Sequence, residues 1–529
     1  MKIGRISLSN SSVTLFFGIL LFIPWLGMMY FYSKGEPREA VVAVSMLDSG
    51  NWILPVSYGD DIPYKPPFLA WLIALFSLLF NGGHVNEFVS RLPSALAAIV
   101  LLVMTYRVLV SRVGMFKSLV VTALTATFFE FFRAAVACRV DMLLTMFMVG
   151  AIYLMFEMHG RKSRLGWAIL FLSGATLTKG PVGSLLPCLA IGIYELTSRK
   201  NFIRTSVKML SLVLCSWLIP ALWYYAAFKQ GGWDFAHLAW EENIGRLTGT
   251  MGYESHLKPW YYNIITLVSG VLPWTVPALG ALCFKTVRKE LKLNLKNLLS
   301  RRSSFGKMAL VVFLTVFVFY CIPSSKRSVY LLPCYPFIAY WLMCVFVSAR
   351  HTVLLHLWNV FLIIISLLVP IAIVVMQFIT PQDLQMGTLS WVQWITIWTP
   401  PACVILCRRV RKVNANALLK AMILTYGLYF CYTSSVAPVV MNWRSDVVVA
   451  RYISSIVDDR TPIYSNIQSD SLLRYYSINF YLDDRLRTFK DTLPSHALLL
   501  TDVETPGAQL ISARSADTRS PIYMIRHDE

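Results

Sequence analysis

Charge is scarce in this chain, and negative charge is scarcer still. Charged residues make up 14% of its 529 residues and hydrophobic residues 56%, whereas an average soluble domain is about 25% charged. That balance excludes a soluble globular protein and points to an integral membrane protein with many spans. The 48 Lys and Arg outnumber the 28 Asp and Glu, for a formal net charge of +20. In a soluble chain such an excess would suggest nucleic-acid binding. Here the basic residues cluster in short loops between apolar runs, so topology accounts for them and no nucleic-acid partner is implied. Membrane lipids with anionic headgroups are the partners those loops fit.

Cysteine is missing from the long polar segments. All ten cysteines fall in or beside apolar runs, which argues against a disulfide framework. Cys403 and Cys407 are spaced i, i+4 but have no His or carboxylate nearby, so they read as helix packing rather than a metal site. Also absent are a Walker phosphate loop, a Rossmann glycine pattern, a C-x-x-C pair and a G-x-S-x-G elbow. There is no low-complexity tract and no repeat with a period of 20–50 residues. Nor is there a cleavable leader. Lys2 and Arg5 precede "VTLFFGILLFIPWLGMMYFY", which is too long for a signal-peptide apolar region and ends in aromatics, so it reads as an uncleaved first span with a cytoplasmic N-terminus.

What the chain has is a series of apolar runs, near residues 13–33, 92–110, 118–136, 140–157, 165–180, 182–197, 208–228, 263–284, 308–322, 330–349, 353–378, 391–407 and 417–437. The run 68–80, "FLAWLIALFSLLF", would rise only about 20 Å as a helix, short of a hydrocarbon core of about 30 Å. It is therefore laid along the interface. Thirteen spans place the basic clusters, including eight basic residues in 285–307, on the cytoplasmic side. A first outer loop 34–91, an outer loop 229–262 and residues 438–529 then lie outside. The last segment is polar, with strand-like "PIYSNI", "ALLLTDV" and "PIYMIRH" and a helix-like "SDSLLRYYSINFYL", the pattern of a small α/β domain. The expected organisation is thus a polytopic, mainly α membrane domain over 1–437 and an extracytoplasmic α/β domain over 438–529, acting as a monomer.

Ionisable groups at membrane boundaries are costly and so become functional candidates. Outside the basic loops they gather on the outer side: Glu36, Arg38 and Glu39; Lys65; Arg139 and Asp141; Lys179; Glu241, Glu242, Arg246 and His256; and Lys326, Arg327 and Tyr330. Each has a plainer reading. Arg139 and Asp141 could be an ion pair at a helix end, Lys179 a helix-end cap, and His256 an interfacial histidine. Lys65 stands before two prolines that fix an extended geometry. Cations without a phosphate loop suggest phosphate held by side-chain charge, and carboxylates beside them suggest a general base, a metal ligand or an orienting group. A phosphate-bearing substrate that reaches an outer face without nucleotide machinery fits a lipid.

Four motifs then carry a resemblance. "GEPREAVVAVSMLDSGNWILP", "YKPPFLAWL", "LTKGPVGSLLP" and "SSKRSVYLLPCYP" resemble those of the GT-C glycosyltransferases that use polyprenyl-phosphate sugars, in particular the bacterial lipid A aminoarabinose transferases and the protein O-mannosyltransferases. The resemblance implies a GT-C-type bundle of about 13 transmembrane helices with interfacial helices in the first outer loop. It implies an undecaprenyl-type phosphate-sugar donor, a lipid, glycan or protein acceptor, and a bacterial inner-membrane location. Lys65, Lys326 and Tyr330 match positions that contact the donor phosphate, with Lys179 and Arg327 beside them. The chain departs from the family's pattern at three positions. The leading Asp is Gly35, the Tyr is Glu39, and the Glu of the Lys-Pro-Pro motif is Tyr64. The catalytic carboxylate is therefore expected to be Glu36 or Glu39, with Asp141 as a further candidate and Arg38, Arg139 and Glu242 in support. A divalent metal stays open, with His256 as its remaining candidate ligand.

Overall fold

In the computed structural model, residues 2–32, 35–57, 61–63, 65–157, 162–245, 248, 257–300, 304–349, 353–379, 388–409, 416–458, 461–467, 476–490, 492–513 and 520–527 are described. Helices dominate. Four described helices are long and apolar enough to cross a membrane, and seven spans result if each bent pair counts as one. Shorter apolar helices, among them Val140–Phe156, Val182–Thr197 and Phe305–Cys321, accompany them.

Proline and satisfied side chains explain why several apolar runs are not single helices. The first, α1 (Lys2–Phe22), stops before Pro24, which lacks an amide hydrogen and disfavours helix at the residue before it. The run 13–33 therefore leaves the helix and is irregular over 23–32. Next come α2 (Pro37–Ser49), α3 (Phe68–Phe80) and α4 (Glu87–Val113). In α3 one side is buried while Leu78, Leu79 and Phe80 are exposed.

Run 118–136 divides into α5 (Met115–Ala126) and α6 (Phe129–Ala135), bent by 71°. Run 263–284 divides into Tyr262–Gly270 and Thr275–Leu282, bent by 102° across a stretch containing Pro273. The two breaks face each other. Phe129 N donates to Leu272 O at 2.8 Å and Trp274 Nε1 to Thr127 Oγ1 at 2.8 Å, so groups freed by one break are met by the other, as an apolar surround demands. After α7 (Val140–Phe156), α8 (Lys162–Lys179) and α9 (Val182–Thr197), the expected outer loop 229–262 opens as helix, because Leu218–Trp240 continues into it.

The last apolar helix continues through a π turn at Tyr432–Val436 to Met441, and the C-terminal domain follows. Its five-stranded sheet has the order β2-β1-β3-β5-β4, with β1 (Ile463–Asn466), β2 (Leu486–Thr488), β3 (Ala497–Thr501), β4 (Gln509–Ser512) and β5 (Ile522–His527). β1 runs parallel to β2 and β3, while β5 is antiparallel to β3 and β4. Ile463, Leu498, Leu500, Ile522 and Met524 form its core with Ala450 and Ile453 of the helix Val447–Ile456. The three strand-like sequences lie on β1, β3 and β5. Of the helix-like stretch, Tyr476–Tyr481 is helical and 469–475 lies outside the described residues.

Candidate active site

Glu36 stands at the start of α2, where Pro37 takes the first helical position, a place its ring suits. Arg91 of α4 reaches across. Its Nε donates to Glu36 Oε1 at 2.8 Å, Nη2 to Oε2 at 3.1 Å and Nη1 to the carbonyls of Leu26 and Met29. The Cys138 amide adds a third hydrogen bond to Oε1 at 2.9 Å. Both residues are buried. Burial pushes the Glu36 carboxyl up, but Arg91 and the Cys138 amide outweigh it and hold the group below the usual carboxylate range.

Glu39, one helical turn on, has a different environment. Its Oε1 accepts from Lys65 Nζ and from Arg38 Nη2, the latter at 3.2 Å. Burial opposes its charge, and Lys65 and Arg38 restore it, so the carboxyl again lies below its ordinary range. Burial lowers the Lys65 ammonium to about 8 despite Glu39 beside it. The next pair is Lys179 at the end of α8 and Asp141 in the first turn of α7, 2.5 Å apart. The Lys179 ammonium also lies 4.5 Å from the centroid of the Tyr330 ring, a cation–π contact. Gly180, at φ 78°, turns the chain there. A Cβ on it would sit 2.2 Å from Asn243 Oδ1, so the close approach requires glycine.

These groups open onto cavities. One of about 240 Å³ has Lys65, Lys179, Glu242, Asn243 and Tyr330 among its polar walls and Val182, Leu185 and Phe319 among its apolar ones. A smaller one of about 70 Å³ shares Lys65 and Pro66 with it and continues to Arg38, Glu39, Ser57, Asp61 and Tyr476. A third, of about 320 Å³, is lined by Glu36 and Arg91. Tyr32, Arg133 and Arg139 give it a polar end, and Trp25, Phe132 and Tyr429 line it as well.

The expected Arg139–Asp141 pair is not formed. Asp141 turns to Lys179, while Arg139 lines the 320 Å³ cavity and makes no side-chain hydrogen bond or ion pair among the described residues. Its Nη2 lies 2.7 Å from where a Cβ on Gly35 would sit. The guanidinium thus occupies the space into which an acidic side chain at position 35 would project.

Lys326 stands apart from these three cavities. It is buried, its ammonium donates to the carbonyls of Pro323 and Lys258, and it lines none of these cavities. Arg327 precedes the 3-10 stretch Ser328–Cys334 and is not among the lining residues. His256, Arg246 and Tyr64 lie outside the described residues. Among the described residues, no three His, Cys, Asp or Glu side chains gather as a metal site would require.

Sequence reasoning missed Arg91, Asn243, Arg133 and Tyr476. Arg91 had a signal, an arginine at the border of the apolar run 92–110. Tyr476 had none, because its place depends on the docking of a domain more than 400 residues along the chain.

Residues 64–225 match the model of the dolichyl-phosphate-mannose-protein mannosyltransferase family. The crystal structure of ArnT from Cupriavidus metallidurans bound to undecaprenyl phosphate superposes with a TM-score of 0.71, covering 99% of this chain and 98% of that one at 17% identity. The chain has the GT-C fold of ArnT-like glycosyltransferases. An uncharacterized protein of Aquifex aeolicus is 32% identical over 308 residues, 58% of this chain and 65% of that protein. An undecaprenyl phosphate-alpha-4-amino-4-deoxy-L-arabinose arabinosyl transferase of Shewanella sediminis is 28% identical over 333 residues, 61% of this chain and 57% of that protein. The matches to these curated relatives thus span less than two thirds of their length, and the GT-C fold match extends the likeness to the whole chain. In GT-C terms, the family-model segment holds Lys65, Asp141 and Lys179, while Tyr330 and the C-terminal domain lie beyond it.

Proposed function

We propose that the chain is an inverting glycosyltransferase that moves a sugar from a polyprenyl phosphate, such as undecaprenyl phosphate, to a lipid A, glycan or protein acceptor. It would work at the extracytoplasmic face of a bacterial inner membrane, with the N-terminus cytoplasmic and the C-terminal domain outside. The observation that carries this reading is the apolar-walled cavity whose polar end holds Lys65, Lys179 and Tyr330. An isoprenoid chain suits Val182, Leu185 and Phe319, and two ammonium groups suit the phosphate.

In the reaction, an acceptor oxygen attacks the anomeric carbon from the face opposite the phosphate. The bond from that carbon to the phosphate oxygen breaks, and polyprenyl phosphate leaves with the bonding electrons. Lys65 and Lys179 stabilise the charge that grows on the leaving oxygen. An acceptor hydroxyl would give its proton to Glu39, whose Oε1 is held by Lys65 and Arg38 while its carboxylate borders the 70 Å³ cavity. Glu36 has both oxygens engaged, and its role is to position the loop. The 320 Å³ cavity lined by Glu36, with Arg133 and Arg139 at its polar end, would receive the body of the acceptor, whose reacting oxygen extends to Glu39.

The test is reconstitution of the purified protein with an undecaprenyl-phosphate sugar and envelope lipid or glycan fractions, followed by mass spectrometry. Release of undecaprenyl phosphate with gain of one sugar on an acceptor supports the reading. Movement of the intact donor across vesicles without cleavage would replace it with a carrier.

A further inference from the structure

We infer that Tyr476, supplied by the C-terminal domain, is the wall of the 70 Å³ cavity on which the donor's sugar ring stacks. The inference rests on the donor assignment above and adds a recognition residue for the transferred group.

Continuity is the first argument. Lys65 and Pro66 line both this cavity and the larger apolar-walled one. A phosphate seated at Lys65 with its lipid along Leu185 and Phe319 must carry its sugar on the far side of the phosphate. That is where the smaller space begins.

Size is the second. A water needs about 10–15 Å³ of such volume, so the space takes the place of a handful of waters, enough for one sugar ring and not for an oligosaccharide.

Chemistry is the third. A sugar ring has a polarised C–H face and a rim of hydroxyls. The negative face of a tyrosine ring meets the first, while the carboxylates of Glu39 and Asp61 and the Ser57 hydroxyl, all lining the cavity, meet the second.

Tyr476 is also held in place. It begins the short helix Tyr476–Tyr481, and the Arg38 guanidinium lies 5.9 Å from its ring centroid. At the other end, Tyr481 Oη donates to Glu87 Oε1 at 2.7 Å and accepts from Phe31 N at 2.8 Å. Just beyond it, Asp484 Oδ2 accepts from Ser45 Oγ at 2.6 Å, and Ser45 Oγ lies 2.8 Å from Ser57 Oγ, itself a lining residue. One side of the cavity is therefore built by α2 and the C-terminal domain together.

The experiment compares full-length wild type with Tyr476→Ala and Tyr476→Phe in nanodiscs. Each is titrated with undecaprenyl phosphate, with undecaprenyl-phosphate monosaccharides and with an undecaprenyl-phosphate disaccharide, and unfolding is followed to establish that each variant is folded. Tyr476→Ala is expected to weaken the monosaccharide lipids by about three- to tenfold, to leave the bare lipid phosphate unchanged, and to be rescued by Tyr476→Phe. Equal weakening of bare and glycosylated lipids, no change in either, or tighter binding of the disaccharide than of the monosaccharide would overturn the inference. Wild type that binds no form of the lipid phosphate would instead overturn the donor assignment, and this inference with it.

Discussion

Arg91 and Glu36 form a two-point ion pair, Nε to Oε1 at 2.8 Å and Nη2 to Oε2 at 3.1 Å, buried between α4 and the start of α2. Removing one partner of such a pair strands the other charge away from water. Arg91→Ala is expected to cost about 3–5 kcal/mol of stability, read as a lowered midpoint in denaturant or thermal unfolding. Glu36→Gln should follow in the same direction, while protein that remains folded keeps its turnover. Normal stability with abolished turnover in Glu36→Gln would make Glu36 the base instead.

Lys65 and Lys326 separate two roles that their motifs do not distinguish. Lys65 borders both donor-side cavities, and Lys65→Ala is expected to lower kcat by about 10²- to 10³-fold, the loss typical of one charge-stabilising contact. Lys326 spends its ammonium on the carbonyls of Pro323 and Lys258. Lys326→Met should therefore lower stability and leave donor affinity unchanged. Donor titrations on the two variants check this, and a weakened donor in Lys326→Met would place that lysine on the phosphate.

The depressed Lys65 gives a pH dependence of known sign. With its value lowered to about 8 by burial, the side chain is charged below that pH and neutral above it. A bound phosphate favours the ammonium, so donor binding above about pH 8 takes up a proton, and affinity falls there by up to about tenfold per pH unit. Lys65→Arg, which stays protonated throughout, should flatten the profile. Calorimetric titration across that range checks it, and a flat wild-type profile would detach Lys65 from the phosphate.

Gly35 and Arg139 offer a test of the acceptor side. A carboxylate at position 35 would project onto the guanidinium now lying 2.7 Å from the missing Cβ. Gly35→Asp is therefore expected to tie up Arg139 and raise the acceptor KM, with donor affinity unchanged, and Arg139→Ala should act alike. Steady-state kinetics with each substrate varied in turn measures this, and a shift in donor affinity instead would move Arg139 to the other side of the site.

The gathering of Lys65, Lys179, Glu242 and Tyr330 was legible because each falls in or beside a segment that the topology assigns to the outer side. β1, β3 and β5 were legible because short, mostly apolar runs alternate with turns in an otherwise polar segment. Which partners hold the two carboxylates was not legible, since Arg91 lies 55 residues from Glu36 and Lys65 lies 26 residues from Glu39. The helix breaks at Pro24 and Pro273 were written in the sequence but hidden under uninterrupted hydropathy. The direction of the Lys326 ammonium was hidden too, because a motif fixes where a residue sits along the chain and not which carbonyls surround it. Tyr476 depends on contacts across some 440 residues, such as Ser45 to Asp484.

Those long contacts have a temporal side. The backbone of Phe31 is held at its N–H by Tyr481 and at its carbonyl by Ser445, and Asn442 holds the carbonyl of Met28 and the amide of Tyr30. Every one of these fastenings is translated after the entire membrane bundle. The segment leading to Glu36 leaves the ribosome early and waits, unfastened, until the final stretch has been made and docked. A nascent or prematurely terminated chain could thus enter the bilayer with all its lysines in place and still lack an assembled site.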